Sequence, residues 1–370
     1  MAPTELLAEQ HYQNLNTWFE PLGISVAWLS GSIRGRQREQ VLGEIASGSA
    51  GVIIGTHALF QQDVRFQRLA MVVIDEQHRF GVQQRLALKE KGGDEGRCPH
   101  QLIMTATPIP RTLAMVAYAD LDSSVIDELP PGRQPVQTVV LPNSRRDEIV
   151  ERVAGVCREG RQVYWVCTLI DESDVLQCEA AEAVSAMLEE ALPKQRVELV
   201  HGRLKAAEKE AIMSAFKRGE IDVLVATTVI EVGVDVPNAT LMIIENAERL
   251  GLAQLHQIRG RVGRGDHQSH CLLMYQPPLS KMAKSRLATM RESTDGFEIA
   301  RKDMELRGPG EMLGVRQTGE MSFQVADLGR DQHLLDEVCR IAPALIENEP
   351  SLCQHLIERW VGQKERFAEV

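Results

Sequence analysis

Short apolar runs alternate with longer stretches of mixed polarity along the first 135 residues. Such runs begin at Val52, Met71 and Leu102, and each is rich in β-branched or long aliphatic side chains. Continuous apolar runs are typical of parallel strands, because helices cover both faces of the sheet. Pro3 and Thr4 precede a helical pattern and supply its start signal. The pattern therefore predicts an α/β domain over residues 1–135.

A proline- and glycine-rich segment at 130–135 breaks this periodicity and predicts a linker. Strand-like runs then return at 163–167, 197–200, 223–226, 241–244 and 271–274, with helical patterns at 172–191 and 206–218 between them. This alternation predicts a second α/β domain over residues 136–278.

The strand pattern fades after Pro277 and Pro278. Helices are predicted over 279–306 and 331–361, on either side of a glycine-rich loop. Residues 279–370 are therefore expected to form a third, helical region.

The composition is ordinary for a soluble globular protein, with 44% hydrophobic and 25% charged residues. The seven cysteines are scattered without a Cys-x-x-Cys pair, which favours reduced thiols over zinc or disulfides. No apolar stretch is long enough to cross a bilayer and no leader is evident, so we expect a cytoplasmic protein without membrane association. The net charge of −11 still permits nucleic-acid binding through a local basic surface.

An acidic pair, Asp75 and Glu76, directly follows the apolar run that begins at Met71. Carboxylates at the end of a buried strand suit a nucleotide-hydrolysing site, where one holds Mg²⁺ and another orients water. We assign Asp75 to Mg²⁺ and Glu76 to the attacking water. A surface turn that happens to carry acids is the alternative.

Arg261 and Arg264 lie three positions apart, so on a helix they would share one face and could act on one anion. Guanidinium groups that reach a γ-phosphate raise hydrolysis by about 10³–10⁵-fold. If carboxylates and arginines come from different domains, ATP holds the domains together and hydrolysis loosens them. An exposed basic turn is the plainer interpretation.

Small and hydroxyl residues follow strands in both domains and suit contacts to the phosphates of a nucleic acid. The candidates are Pro3 and Thr4, Thr56 and His57, and Thr227 and Thr228. Each pair is a weak signal alone, because Gly-Thr turns are common. Their shared position at strand ends supports the prediction.

The order of these segments resembles superfamily 2 helicases. Four longer strings resemble the RecG branch-migration family: DEQHRFG at 75–81, MTATPIPRTL at 104–113, IDELPPGR at 126–133 and QLHQIRGRVGRG at 254–265. The resemblance implies an α/β fold of two RecA-like parallel-sheet lobes, the first truncated, with a C-terminal helical hairpin and loop region. It also implies ATP-driven translocation on double-stranded DNA, with remodelling of stalled forks and Holliday junctions.

The resemblance further assigns residue roles. It implies nucleotide contacts from His78, Gly233, Asp235 and Gln257, and coupling by Thr105 and Thr107. It adds His201 to the DNA contacts. Residues 296–319 resemble a translocation motif. Within this motif, the resemblance implies DNA-linked roles for Arg301, Arg307, Arg316 and Gln317.

The sequence contains no G-x-x-x-x-G-K-[ST] loop, whose backbone amides and lysine cradle nucleotide phosphates. We therefore expect a C-terminal part of such a helicase, truncated within its first lobe and deficient in ATP hydrolysis. Expected ligands are ATP, Mg²⁺ and branched double-stranded DNA, and we expect a monomer, with single-strand-binding protein left open as a partner. The alternatives are a translocase like the transcription-repair coupling factor, a non-catalytic junction-binding fragment and, more distantly, an RNA helicase.

Overall fold

The structure, a computed structural model, describes most of the chain. The described residues are 1–76, 80, 91, 98–105, 122, 124–130, 132–168, 174–227, 236–307, 331 and 334–360. Backbone contacts divide them into two compact units, the first reaching residue 105 and the second comprising the described residues from 122 onward. The predicted domain boundaries at 135 and 278 stay predictions.

The described residues of the first unit form two helices and four short strands. In chain order they are α1 (Glu5–Phe19), β1 (Val26–Leu29), α2 (Gly35–Ser47), β2 (Val52–Gly55), β3 (Met71–Ile74) and β4 (His100–Ile103), with 3₁₀ turns at Glu20–Leu22 and His57–Phe60. Strand β1 pairs with β2 and β3 pairs with β4, both in parallel. The unit is therefore an α/β structure with the parallel pairing that the apolar runs predict.

Met1 and Ala2 lie between the two strand pairs and join them. The Met1 ammonium group donates to the Val73 carbonyl at 2.8 Å, and the Asp75 amide donates to the Met1 carbonyl at 3.0 Å. On the other side, the Ala2 amide donates to the Gly55 carbonyl at 3.1 Å. Two residues thus occupy a strand position between β2 and β3.

One face of the β3–β4 pair is apolar and exposed. Met71 and Val73 on β3 are 53% and 36% exposed, and Leu102 on β4 is 45% exposed. The opposite face is covered, because Val72 and Ile74 pack with Phe80. Alternate residues of a strand point to opposite faces, which accounts for this division.

The second unit is built on one six-stranded sheet. Its elements are β5 (Gln137–Pro142), α3 (Arg146–Arg158), β6 (Gln162–Val166), α4 (Asp174–Ala191), β7 (Val197–Val200), α5 (Ala206–Lys217), β8 (Val223–Ala226), β9 (Ala239–Ile244), α6 (Leu252–Arg259), β10 (His270–Tyr275), α7 (Lys281–Glu292), α8 (Gly296–Arg307), α9 (Leu335–Asn348) and α10 (Pro350–Trp360), with 3₁₀ turns at Asn143–Arg145 and Ala247–Arg249. The strand order is β5-β10-β9-β6-β8-β7, and every pairing is parallel.

Both faces of this sheet are buried, so its central strands are mainly apolar. On one face Trp165 and Val225 pack with Ile149 and Leu188 from α3 and α4. On the other face Tyr164 stacks against Phe216 of α5, with ring centroids 4.8 Å apart. Every residue of β6, β8 and β9 is buried, as expected for a helix-covered parallel sheet.

The chain after β10 is helical, as predicted. The stretch 279–306 holds two helices, and Asp295 marks the start of the second, α8, by accepting a hydrogen bond from the Phe297 amide at 2.8 Å. The stretch 331–361 also holds two helices, and Pro350 occupies the first position of α10. Among the described residues, none of the helices combines the length and hydrophobicity that spanning a bilayer requires.

Candidate functional site

The acidic pair forms a sharp turn at the carboxyl end of β3. Glu76 has a φ of 52°, a left-handed conformation that a residue with a Cβ rarely adopts. In this turn the Glu76 amide donates to Oδ1 of Asp75 at 2.9 Å. Backbone strain of this kind is often found at functional sites. The turn therefore presents both carboxylates from the end of one strand.

Asp75 also contacts helix α1. Nε2 of His11 lies 2.9 Å from Oδ2 of Asp75. This hydrogen bond is the main reason that the pKa of Asp75 is lowered, and burial opposes it. The Asp75 carboxyl is therefore ionised at neutral pH.

The ionised Asp75 suits Mg²⁺, which prefers oxygen ligands. No group of three or more metal-ligating side chains comes together within the described part of the chain. Mg²⁺ usually keeps several waters and is held by one or two carboxylates together with substrate phosphates. A single aspartate with a neighbouring glutamate fits this mode of binding.

The arginine segment does not have the helical geometry expected from its spacing. Helix α6 ends at Arg259, Gly260 follows as its cap, and Gly263 has a φ of 76°. Arg261 and Arg264 therefore lie on a loop, and the expectation that a shared helix face aligns them is wrong. Arg261 is buried, whereas Arg264 is exposed and its Nε donates to the Gly260 carbonyl at 3.3 Å.

Close backbone contacts fix this loop, residues 260–265, which we call the arginine loop. Nε of Arg133 donates to the Gly263 carbonyl at 2.9 Å. A Cβ on Gly263 would lie 2.7 Å from the Val136 side chain, and one on Gly265 would lie 2.6 Å from the Pro237 carbonyl oxygen. Both positions therefore require glycine.

Arg259 is directed into the interior. Its side chain is buried, and Nη1 donates to the carbonyls of Ser293 at 2.8 Å and Met290 at 3.0 Å. These carbonyls belong to the carboxyl end of α7 and the turn before α8. His256, on the same helix, is half-buried, and burial followed by the positive charge of Arg259 lowers its pKa to about 4. The start of the arginine loop is thus anchored to the α7–α8 corner.

A buried carboxylate lies where β6 and β9 end. Oε1 of Glu245 accepts hydrogen bonds from Nε1 of Trp165 at 2.7 Å and from Nη1 of Arg146 at 2.6 Å. Beside it, the Asn246 side chain donates to the Thr168 carbonyl at 3.0 Å. After β6 the chain continues to β7, at one edge of the sheet, whereas after β9 it continues to β10, toward the other edge. Parallel sheets bind ligands at the carboxyl ends of two neighbouring strands whose connections diverge in this way.

The predicted DNA contacts differ in accessibility. The Thr4 hydroxyl caps α1 by accepting from the Leu7 amide at 3.4 Å, next to Pro3, whereas Thr56 and Thr227 are buried. His57 is exposed. His201 is buried, and its Nδ1 lies 3.2 Å from Sγ of Cys178. Their contacts to DNA stay predictions.

The structure shows the exposure of three other predicted residues and does not describe the rest. Thr105 and Arg301 are exposed, and Gln257 on α6 is half-buried. Outside the described residues lie His78, Thr107, Thr228, Gly233, Asp235, Arg316 and Gln317, and also the side chain of Arg307.

Sequence reasoning did not identify His11, Arg133 or Arg259 as parts of the site. Arg133 stands in one of the longer strings quoted above, but nothing local ties it to the arginine loop. His11 is 64 positions from Asp75, and no spacing rule relates a helix residue to a distant strand end. Only the folded chain brings His11 to Asp75 in the first unit and Arg133 to the arginine loop in the second.

Family models match three segments of the chain. Residues 1–116 match the DEAD/DEAH box helicase model, and residues 145–266 match the helicase conserved C-terminal domain. Residues 293–360 match domain 3, C-terminal, of the ATP-dependent DNA helicase RecG. The matches follow the order in which the sequence motifs occur.

Curated relatives are similar along the whole chain. The ATP-dependent DNA helicase RecG of Escherichia coli K12 is 63% identical over 369 residues, covering 100% of this chain and 53% of the relative. RecG of Bacillus subtilis is 47% identical over 350 residues, covering 94% and 51%. The chain spans about half the length of these relatives.

Solved structures share the fold. A RecG structure bound to a three-way DNA junction matches with a TM-score of 0.70 and 43% identity, covering 90% of this chain and 43% of that one. The Mycobacterium smegmatis helicase Lhr, bound to ssDNA and AMP-PNP, matches with a TM-score of 0.58 and 19% identity, covering 80% and 42%. The second likeness concerns the fold alone.

Proposed function

Because the chain belongs to the RecG helicase family, we propose that it carries motor elements of an ATP-dependent DNA helicase. The observation that carries this proposal is the acidic turn at the end of β3. It lies in a chain that is, over its own length, 63% identical to part of Escherichia coli RecG. We propose translocation on double-stranded DNA that remodels stalled forks and Holliday junctions. The proposed ligands are ATP, Mg²⁺ and branched DNA, and the proposed location is the cytoplasm.

Each polar group of the site has a role in this proposal. When bound, Mg²⁺ would neutralise charge on the β- and γ-phosphates. Asp75 would hold the ion, and Glu76 would orient water and accept its proton. Arg261 and Arg264 would stabilise the negative charge of nucleotide phosphates. Exposure of Arg264 and the ionised state of Asp75 support these assignments.

The DNA-binding part of the proposal rests on phosphate contacts rather than on base reading. The acidic total charge of −11 requires such contacts to be local. Exposed His57 and Arg301 are the described candidates with accessible side chains. We expect binding to weaken steeply with salt, because released counterions drive association.

Nucleotide binding tests the arginine assignment. Binding of a fluorescent ATP analogue to the purified chain is expected to weaken about tenfold in Arg264→Ala, since a charge-assisted contact is lost. Arg158→Ala is the matched control, because Arg158 is also exposed on the second unit and donates to a helix carbonyl. Equal affinities of both variants and the unaltered protein would refute the role of Arg264.

Phosphate release tests the predicted deficiency in hydrolysis. With no G-x-x-x-x-G-K-[ST] loop in its sequence, the 370-residue chain should turn over ATP only weakly, even with DNA present. Rapid, DNA-stimulated turnover by this chain would contradict the expectation.

Competition between nucleic acids tests the substrate class. A three-way DNA junction is expected to compete better than a linear duplex or an RNA hairpin of equal length. Equal competition by the linear duplex would favour the transcription-repair translocase, and stronger competition by RNA would favour an RNA helicase. Sedimentation of the chain alone tests whether it is a monomer. Sedimentation with single-strand-binding protein added tests whether the two proteins bind each other.

A further inference from the structure

A side chain from outside the acidic turn contacts the carboxylate of Asp75. Nε2 of His11, on α1, lies 2.9 Å from Oδ2 of Asp75, while Oδ1 of Asp75 accepts the Glu76 amide at 2.9 Å. The two carboxylate oxygens are therefore held from opposite sides, one by the strand end and one by a helix. Such a carboxylate cannot rotate about its Cβ–Cγ bond without breaking one of these contacts.

We propose that His11 is a positioning residue for the metal-binding carboxylate of Asp75. The inference rests on the proposed function, because it takes Asp75 as the Mg²⁺ ligand. Each carboxylate oxygen can accept two hydrogen bonds or ligand contacts. With one direction on each oxygen occupied, the remaining directions stay available to a cation. His11 thus selects the orientation in which the carboxylate meets the metal.

Helix α1 is well placed to hold His11 still. Its first turn is capped by Thr4, and Ala8 is fully buried against Ile54 of β2. Tyr12, the next residue after His11, packs at a tilted angle against Trp28, with ring centroids 5.8 Å apart. A ligand-supporting side chain needs this kind of rigid base, since partners beyond the first coordination shell act by fixing the orientation of the ligand.

A purely stabilising contact is the competing explanation, and its consequences differ. The His11 side chain is 36% exposed and that of Asp75 is 23% exposed, so water screens their attraction. Exposed pairs of this kind contribute little to folding stability. Removing the imidazole should therefore leave the fold intact while changing how the carboxylate binds a cation.

Mn²⁺ binding measured by electron paramagnetic resonance tests the proposal on the whole chain, with Mn²⁺ as the probe. His11→Ala is expected to weaken Mn²⁺ binding about tenfold, the lower end of the effect seen for such supporting partners. His11→Gln, which retains a donor at a similar reach, should recover most of the affinity. Gln13→Ala is the matched control, because Gln13 lies on the same helix and its side-chain amide donates to Glu9 at 3.4 Å.

Asp75→Asn separates the failure of this inference from that of the proposed function. If Asp75→Asn binds Mn²⁺ like the unaltered chain, the metal role of Asp75 fails, and the role of His11 with it. If Asp75→Asn abolishes binding but His11→Ala binds normally, only the positioning role is overturned.

A second measurement decides the matter should His11→Ala fail to fold. Mn²⁺ broadens nuclear magnetic resonance signals of nearby nuclei, so the ¹⁵N-labelled His11 imidazole of the unaltered chain should broaden at low Mn²⁺. The broadening should disappear in Asp75→Asn. A His11 signal that stays sharp while Mn²⁺ occupies the Asp75 site would overturn the proposal.

Discussion

Replacing Arg259 by methionine should destabilise the second unit substantially. The guanidinium group is buried and makes two close hydrogen bonds, to the Ser293 carbonyl at 2.8 Å and the Met290 carbonyl at 3.0 Å. Hydrogen bonds from a charged donor contribute about 1.5 kcal/mol or more each, and buried carbonyls left without donors add to the loss. Methionine fills a similar volume, so the cavity contribution stays small. The expected loss in unfolding free energy is about 3 kcal/mol.

Urea unfolding followed by the fluorescence of Trp165 measures this loss, because Trp165 is fully buried in the core of the second unit. The matched control is Arg158→Met, since Arg158 is exposed and makes one bond to the Ala154 carbonyl at 3.1 Å. The control should cost less than about 0.5 kcal/mol, as surface substitutions usually do. Equal unfolding midpoints for the two variants would refute the anchoring of α6 to the α7–α8 corner.

Three further predictions concern titration, reactivity and coupling. Burial holds the pKa of His256 near 4, below its ordinary 6.5, so the unfolded chain binds the extra proton first. Stability should therefore fall by about 2–3 kcal/mol as the pH drops from 6.5 to 4, and His256→Gln should flatten that slope in urea unfolding. Exposed Cys98 should react rapidly with a disulfide reagent at pH 8. Burial raises the pKa of Cys271 to about 12, so Cys271 should react only after unfolding. Rapid labelling of Cys271, identified by peptide mass, would contradict this expectation. Arg146→Met and Glu245→Gln should show a coupling of about 1–2 kcal/mol in a double-mutant cycle, because they share a hydrogen bond at 2.6 Å; additive effects would contradict it.

The sequence pattern predicted the strands that are buried on both faces. Strand β6 and strand β8 are buried on both faces, so all their residues except Gln162 are apolar or aromatic and the pattern is unambiguous. By contrast, β5 lies at the edge of the sheet with alternating, partly exposed residues, and it was not predicted. Helix α2 was also missed, because Ile45 is its only buried residue and its remaining positions are mainly polar or partly exposed.

Two local signals for helix boundaries were present but not used. Asp295 followed by Glu298 three positions later is the arrangement of a helix N-cap, and it marks the start of α8. The Pro350 that opens α10 is another such signal. Both boundaries could therefore be read from the sequence.

The site residues also fall into those that a local sequence pattern predicts and those that only the fold brings together. Asp75 and Glu76 were identifiable because they directly follow an apolar run. The alignment expected for Arg261 and Arg264 failed because Gly260 ends α6 before them. The supporting residue His11 depends on tertiary structure, which no local pattern encodes.

The position of Ala2 has a practical consequence for mutagenesis of the first unit. Its side chain is fully buried in a cluster with Ala8 and Ile54, and its amide donates to the Gly55 carbonyl at 3.1 Å. A larger side chain at this position would press on α1 and β2 at once and force them to shift. Variants designed to probe Asp75 should therefore leave Ala2 unchanged, so that a loss of packing is not mistaken for a loss of function.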